Sequence, residues 1–263
     1  WKVKVYTNKG EANWSNPAFW SMGLFNEADW RGQWIGLDRA APGDSETQWS
    51  RLAARYLRKE FALSKEVKRA TVHIAGMGLY ELFINGQRIG DQVLAPAPTD
   101  YRKTILYNTY DVTSLLQTEN AIGVTLGNGR FYTMRQNYKP YKIPTFGYPK
   151  LRLNLIVEYA DGSKETIATN TSWKLTTEGP IRSNNEYDGE EYDARKELGA
   201  WTQTGYDDKN WMPAQRVSIP SGTLRAQIMP GMKVMDTLKP VSIQKLGDKY
   251  ILDFGQNMGA VPH

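Results

Sequence analysis

The chain has no cysteine, so disulfides and thiolate metal sites are excluded. Histidine is nearly missing too: His73 and His263 are the only two. Two imidazoles so far apart in sequence do not supply a convincing nucleophile–base triad or a transition-metal cage. No apolar run approaches the roughly eighteen residues of a membrane span. No stretch sustains an apolar repeat every 3.6 residues, which leaves out a helical-repeat domain. Basic residues number 33 against 28 acidic ones, a net charge of +5, yet no dense basic run tracks a phosphate backbone. Arg51, Arg55, Arg58 and Lys59 come closest and are interleaved with leucine and alanine. Nucleic acid is therefore not an expected partner. The glycine-rich pieces Gly76-Met77-Gly78 and Gly127-Asn128-Gly129-Arg130 sit among strand-like patterns with no helix after them, so they do not form a phosphate cradle.

What the chain does have is alternation and aromatics. Nine Trp and fifteen Tyr suit sheet surfaces, and they also suit sugar binding, where rings stack on pyranose C–H faces. Tyr80, Leu82 and Ile84 alternate with Glu81 and Phe83, the period of a strand. Asn85-Gly86 follows, a two-residue hairpin turn whose central residues both need φ > 0, and Gln87–Gly90 is the return strand. Asp111-Val112-Thr113 reads as a capping turn, and Ile122, Val124 and Leu126 alternate again. Upstream, Tyr56, Arg58 and Glu60 alternate with Leu57, Lys59 and Phe61, and Ala70, Val72 and Ile74 make a further strand from which His73 faces away. Leu151, Leu153, Leu155, Val157 and Tyr159 give the longest clean alternation; Asp161-Gly162 turns it into a second hairpin with Lys164–Ala168, and Trp173–Leu175 is a short strand. Such strands and turns predict an antiparallel all-β sandwich.

The flanks divide the chain. Residues 1–33 pair an alternating Lys2–Tyr6 with a second strand around Trp14–Trp20. The run "VKVYTNKGEANWSNPAFWSMGL" resembles the last two strands of a fibronectin-type-III-like domain. Two strands alone bury no core, so they are expected to pack on the next domain. A native N-terminus is expected upstream of Trp1. In "LFNEADWRGQWIGLD", Asn26 or Glu27 is expected to cap a turn that brings Asp29-Trp30 against the next sheet. Residues 34–220 form the main module, with a loop at Pro42-Gly43-Asp44-Ser45 and a long aromatic loop after Gly129 that is expected to be ordered. Residues 221–263, punctuated by Pro230-Gly231 and Pro240, read as a linker and the start of a further β-sandwich domain.

The central stretch carries a family resemblance. "YELFINGQRIG…YNTYDVTSLL…ENAIGVTLGNG" resembles the jelly-roll, galactose-binding-like accessory domains of glycoside hydrolases. "LRKEF…GLYELFINGQRIGDQVLAPAPTDYRKTILYNTYDV", with "YDGEEYDAR" and "GYDDKNWMPA", is similar to the N-terminal region of bacterial α-L-rhamnosidases. Taken in order, these motifs extend the resemblance over essentially the whole chain. It implies a jelly-roll sandwich flanked by partial β-domains, and a parent enzyme that hydrolyses terminal α-L-rhamnosyl residues by inversion. That family's acid and base sit in a downstream helical (α/α) barrel, so no catalytic residue is expected here and the barrel is an expected partner.

The carboxylates Asp188, Glu190, Glu191 and Asp193 match an accessory-domain motif. They are expected to cap turns and pair with Arg195 or Arg182, or to face the barrel. Some modules of this family bind rhamnose through a Ca²⁺, a cation that needs only oxygen ligands. The family's calcium ligands do not map one by one onto this sequence; the loop residues Asp100, Tyr101, Asn128, Arg130 and Asn137 are the carbohydrate-binding candidates, with Asp100 and Asn128 as candidate Ca²⁺ ligands. Loop capping or a solvated surface is the alternative for each. Three roles follow: the non-catalytic N-terminal part of a rhamnosidase, a free-standing carbohydrate-binding module, or a purely structural or interaction sandwich. The compartment stays open among periplasmic, extracellular and cytoplasmic.

Overall fold

The structure, a computed structural model, describes residues 1–11, 13–18, 20, 22–41, 52–133, 146–187 and 189–258. The expected Pro42–Ser45 loop and most of the aromatic loop after Gly129 lie outside these residues.

The strand Lys150–Tyr159 is the spine of the larger sheet. Leu151, Leu153, Leu155 and Val157 on its inner face are fully buried. Each such side chain withdrawn from water contributes about 1.5–3 kcal/mol. Antiparallel to it, Val67–Met77 sets Ile74, Val72 and Ala70 opposite Leu153, Leu155 and Val157. On its other edge, Lys164–Ala168 returns through Asp161-Gly162, where Gly162 takes φ 83°. This seven-stranded sheet runs Gln215–Arg216, Ile35–Gly36, Lys150–Tyr159, Val67–Met77, Thr104–Asp111, Thr223–Ala226, with Lys164–Ala168 beside the spine.

The facing six-stranded sheet runs Met212–Pro213, Lys174–Thr176, Arg55–Ala62, Glu119–Gly127, Leu79–Ile84, Gln87–Arg88. Its final hairpin turns on Asn85 and Gly86 at φ 50° and 82°, with Ile84 opposite Gln87. The apolar faces of the two sheets meet in one core that holds Leu57, Leu82, Ile122, Val124, Leu126 and Trp173. The chain is therefore the all-β, jelly-roll type of sandwich that its alternation and resemblance implied.

Both outer faces are partly covered by irregular chain. Residues 23–34 lie across the spine strand. Asn154 accepts from the Gly32 N–H (2.8 Å) and donates to the Asp29 carbonyl (3.2 Å), while Arg152 donates to the Gly32 carbonyl and pairs with Glu27. Trp30 packs edge-on to Tyr107 and His73, so the "NEADW" turn delivers its tryptophan to the sheet as expected. His73 faces away from Val72 and Ile74, as its phase required, but into this second cluster and not into solvent. On the opposite face, Arg58 is 1% exposed; it pairs with Asp208 and Glu60, donates to the carbonyls of Trp201 and Gln203, and lies under the Tyr206 ring.

Two expectations about the flanks are corrected. The N-terminal strands Tyr6–Thr7 and Gly10–Glu11 pair with each other but do not bury their rings on the sandwich: Trp1, Tyr6, Trp14 and Trp20 remain 63%, 71%, 60% and 76% exposed. Lys4 sits over the Tyr6 and Trp14 rings, giving these aromatics a partner within the ribbon itself. The described residues around Trp14 form no strand. Beyond 220, the linker-like composition conceals an edge strand. Thr223–Ala226 runs parallel to Thr104–Asp111, and the segment continues along the module with Val93 N–H donating to the Met232 carbonyl (2.9 Å) and Lys233 paired with Asp91. The sandwich therefore extends past residue 220. Further on, Ser242–Leu246 and Lys249–Asp253 make a separate, exposed hairpin.

Candidate functional site

A groove of about 440 Å³ opens at one end of the sandwich, lined by Pro98, Thr99, Asp100, Arg102, Arg130 and Phe146. Two turns build it. In the first, Asp100 folds the chain into the Thr104–Asp111 strand: its carbonyl accepts from Lys103 and Thr104 (2.8 and 3.0 Å), and its carboxylate accepts from the Arg102 backbone N–H (3.2 Å). This is the Asx-turn geometry that favours Asp at such a position. In the second, the Asn128 carbonyl accepts from Phe131 and Tyr132 while Gly129 takes φ 49°. The Phe146 N–H then donates to the Phe131 carbonyl (2.9 Å), bringing the returning chain alongside.

One ring, Phe146, lines the groove, backed by a buried aromatic cluster. Tyr101 meets Phe131 and Phe146 edge-on at 5.1 and 5.2 Å, and Phe131 and Phe146 stack at 6.0 Å. Tyr101 is 6% exposed, and burial pushes its hydroxyl up to about 12. The rim is charged. Arg102 grips Asp100 through Nε and Nη2 (3.0 and 3.4 Å), which holds the exposed Asp100 carboxyl below the usual range. Arg130 pairs with Glu186 through Nη1 (3.2 Å), tying the groove to the ribbon Ile181–Asn185 and Gly189–Tyr192.

Of the five candidate sugar-binding residues, Asp100 and Arg130 line the groove, while Tyr101 is buried behind Phe146 and does not line it. Asn128 does not join them. It is 2% exposed, its Nδ2 donates to the Leu52 carbonyl (2.7 Å), and its backbone N–H donates to Asn184 Oδ1 (2.6 Å). Among the described residues its buried Oδ1 has no hydrogen-bond partner. Asn137 lies outside the described residues. A Ca²⁺ held by Asp100 and Asn128 does not fit this arrangement. Arg102 and Lys103 occupy the first carboxylate, the second group faces inward, and among the described residues no cluster of three or more His, Cys, Asp or Glu could hold a metal.

The carboxylates of the "YDGEEYDAR" motif divide. Asp193 caps the turn Ala194–Lys196 by accepting from the Arg195 N–H (3.1 Å), and the Arg195 guanidinium lowers its carboxyl to about 2. This is the pairing expected of it. Arg182 donates to the carbonyls of Thr177 and Gly179. Glu190 is raised above its ordinary value, first by burial and then by the charge of Glu81. Asp188 lies outside the described residues. Sequence reasoning passed over Arg102, although it stands two residues after Asp100 in the "PTDYRK" stretch, and Phe146, whose return to the groove no local pattern announces.

The family described as "Alpha-L-rhamnosidase N-terminal domain" matches residues 65–236. A curated relative, the alpha-L-rhamnosidase of Formosa agariphila, is 38% identical over 279 residues, spanning 98% of this chain and 29% of the relative. Among solved structures, the alpha-L-rhamnosidase from Dictyoglumus thermophilum superposes with a TM-score of 0.82 at 40% identity, over 97% of this chain and 29% of that one. The Streptomyces avermitilis alpha-L-rhamnosidase complexed with L-rhamnose gives 0.70 at 32% identity, over 98% and 26%. The chain thus spans less than a third of the length of each.

Proposed function

The chain belongs to the α-L-rhamnosidase N-terminal domain family, and from that premise we propose that it is the non-catalytic N-terminal part of an α-L-rhamnosidase, bracing the catalytic portion and offering its end groove to rhamnose-containing carbohydrate. The observation that carries this reading is the disparity in coverage: 98% of this chain aligns with only 29% of a named rhamnosidase. Glycoside hydrolysis needs two carboxyl groups set across the scissile bond. Here Asp100, Asp193, Glu186, Glu27, Asp38 and Asp208 are each committed to a cation, the role of groups that hold loops in place. Acid and base then come from the rest of the parent enzyme.

The groove supports the second half of the reading. The Phe146 ring beside arginine donors is the mixture of apolar face and polar groups that small-ligand sites use. A monosaccharide offers few atoms and must exchange good water hydrogen bonds for protein ones, so affinity is weak, with Kd in the high-micromolar to millimolar range, about −4 to −5.5 kcal/mol. An NMR titration with methyl α-L-rhamnoside tests both halves at once. The backbone signals of Asp100–Arg102 and Arg130 should shift, insensitive to a calcium chelator, while the sugar's anomeric signal stays unhydrolysed. Shifts that vanish with chelator would restore a cation-mediated site, and no shifts at millimolar sugar would leave a bracing sandwich alone.

A further inference from the structure

Resting on that reading of the groove as a sugar site, we propose that its preferred occupant is an anionic sugar, a pyranoside bearing a carboxylate or a sulfate ester, seated on Phe146 with its charge between Arg102 and Arg130. Arg102 and Arg130 line the groove together with Phe146. Both arginines are accessible, at 75% and 45% side-chain exposure. Each is steadied by a carboxylate that leaves donors unused. Arg102 commits Nε and Nη2 to Asp100, and Arg130 commits Nη1 to Glu186. Among the described residues, Nη1 of Arg102 and both Nε and Nη2 of Arg130 have no hydrogen-bond partner. A guanidinium presents five N–H donors in a planar fork that matches carboxylate and sulfate oxygens.

The local charge balance agrees. Asp100 is met by both Arg102 and Lys103, and Glu186 by Arg130, leaving one positive charge in surplus at the rim. A neutral sugar would use the ring surface and leave that surplus unanswered; an anion uses both. Phe146 is held in place by its packing on Phe131 and Tyr101, so little side-chain freedom is lost on binding.

The test compares matched pairs: methyl β-D-glucuronide with methyl β-D-glucoside, and a sulfated methyl α-L-rhamnoside with its unsulfated parent, titrated into the chain by NMR. Exposed charge pairs are weak, so each anionic sugar should bind about three- to fivefold tighter than its neutral partner. That advantage should be present near 0.01 M salt, where the Debye length is about 30 Å, and gone near 1 M, where it is about 3 Å. Arg102→Gln and Arg130→Gln should each bring the anionic-to-neutral affinity ratio down to about one, a ratio read within each variant and so independent of any loss of neutral-sugar binding. The pair with the larger ratio identifies the carboxylate or the sulfate as the natural group. Equal binding within both pairs, abolished by Phe146→Ala, would overturn the charge preference and keep the sugar groove. No binding of any of the four would remove both. Inorganic sulfate binding as tightly as the sulfated rhamnoside would mean an adventitious ion only.

Discussion

His73 has no role in the groove, yet its burial gives the module a stability contribution that depends on pH. Its ring packs against Trp30 and Tyr107 and hydrogen-bonds Thr109 Oγ1 (3.0 Å). Burial, with a smaller contribution from the Arg69 charge, pulls its pKa from 6.5 down to about 4. Between those values the unfolded chain binds a proton that the folded chain refuses. The His73 contribution to stability is therefore full above pH 6.5 and falls as the pH drops toward 4, by up to about 1.4 kcal/mol per pH unit. Thermal unfolding of the parent and of His73→Gln between pH 7 and 5 checks this: the variant should lose less stability on acidification than the parent does. Parallel losses would place the acid sensitivity elsewhere. At this scale the sequence spoke partly. It placed His73 off the core face of its strand, but not under a tryptophan forty-three residues away, because alternation reports which side a residue takes and not what covers that side. The same limit explains Asn128. A polar residue in a glycine-rich turn looked available, and its bond to Leu52 is a long-range fact.

Elements closed by local chemistry were the most legible. Asn85-Gly86 needed left-handed backbone and has it. Replacing Gly86 by alanine would strain a φ of 82° and bring a Cβ to 3.1 Å from the Gln203 side chain. Gly86→Ala should cost about 1 kcal/mol or somewhat more, read as a shift in the urea midpoint without a change in slope; a neutral result would mean that the turn relaxes to another type. The strand Lys150–Tyr159 was likewise visible, since one face of it is purely apolar. The strand Thr223–Ala226 was not. Its stability comes from parallel backbone bonds to a strand more than a hundred residues earlier, and proline-rich composition on both sides resembles a linker. The N-terminal ribbon erred in the other direction. Its alternation is real, but its strands are two residues long, and its rings pack on Lys4 and face water.

On the scale of the whole molecule, two sheets make one core, and irregular segments brace the outer faces. The groove lies at the end, where the Pro98–Arg102 and Asn128–Tyr132 turns meet Phe146. The groove was half legible: Asp100 and Arg130 stood among the candidate residues, while Phe146, which shares its lining, is brought there by its backbone bond to Phe131. If the chain is the non-catalytic part proposed above, it does no glycosidic chemistry. Among the described residues, Glu190 is a carboxylate held above its ordinary value, by burial and by the Glu81 charge, and so the one to test as an acid. The direct measurement is release of aglycone from an aryl α-L-rhamnoside by the purified chain. The account predicts no rate above the uncatalysed background at any pH from 4 to 8, the same for the parent and for Glu190→Gln. Turnover that copurifies with the chain and is lost in Glu190→Gln would contradict it.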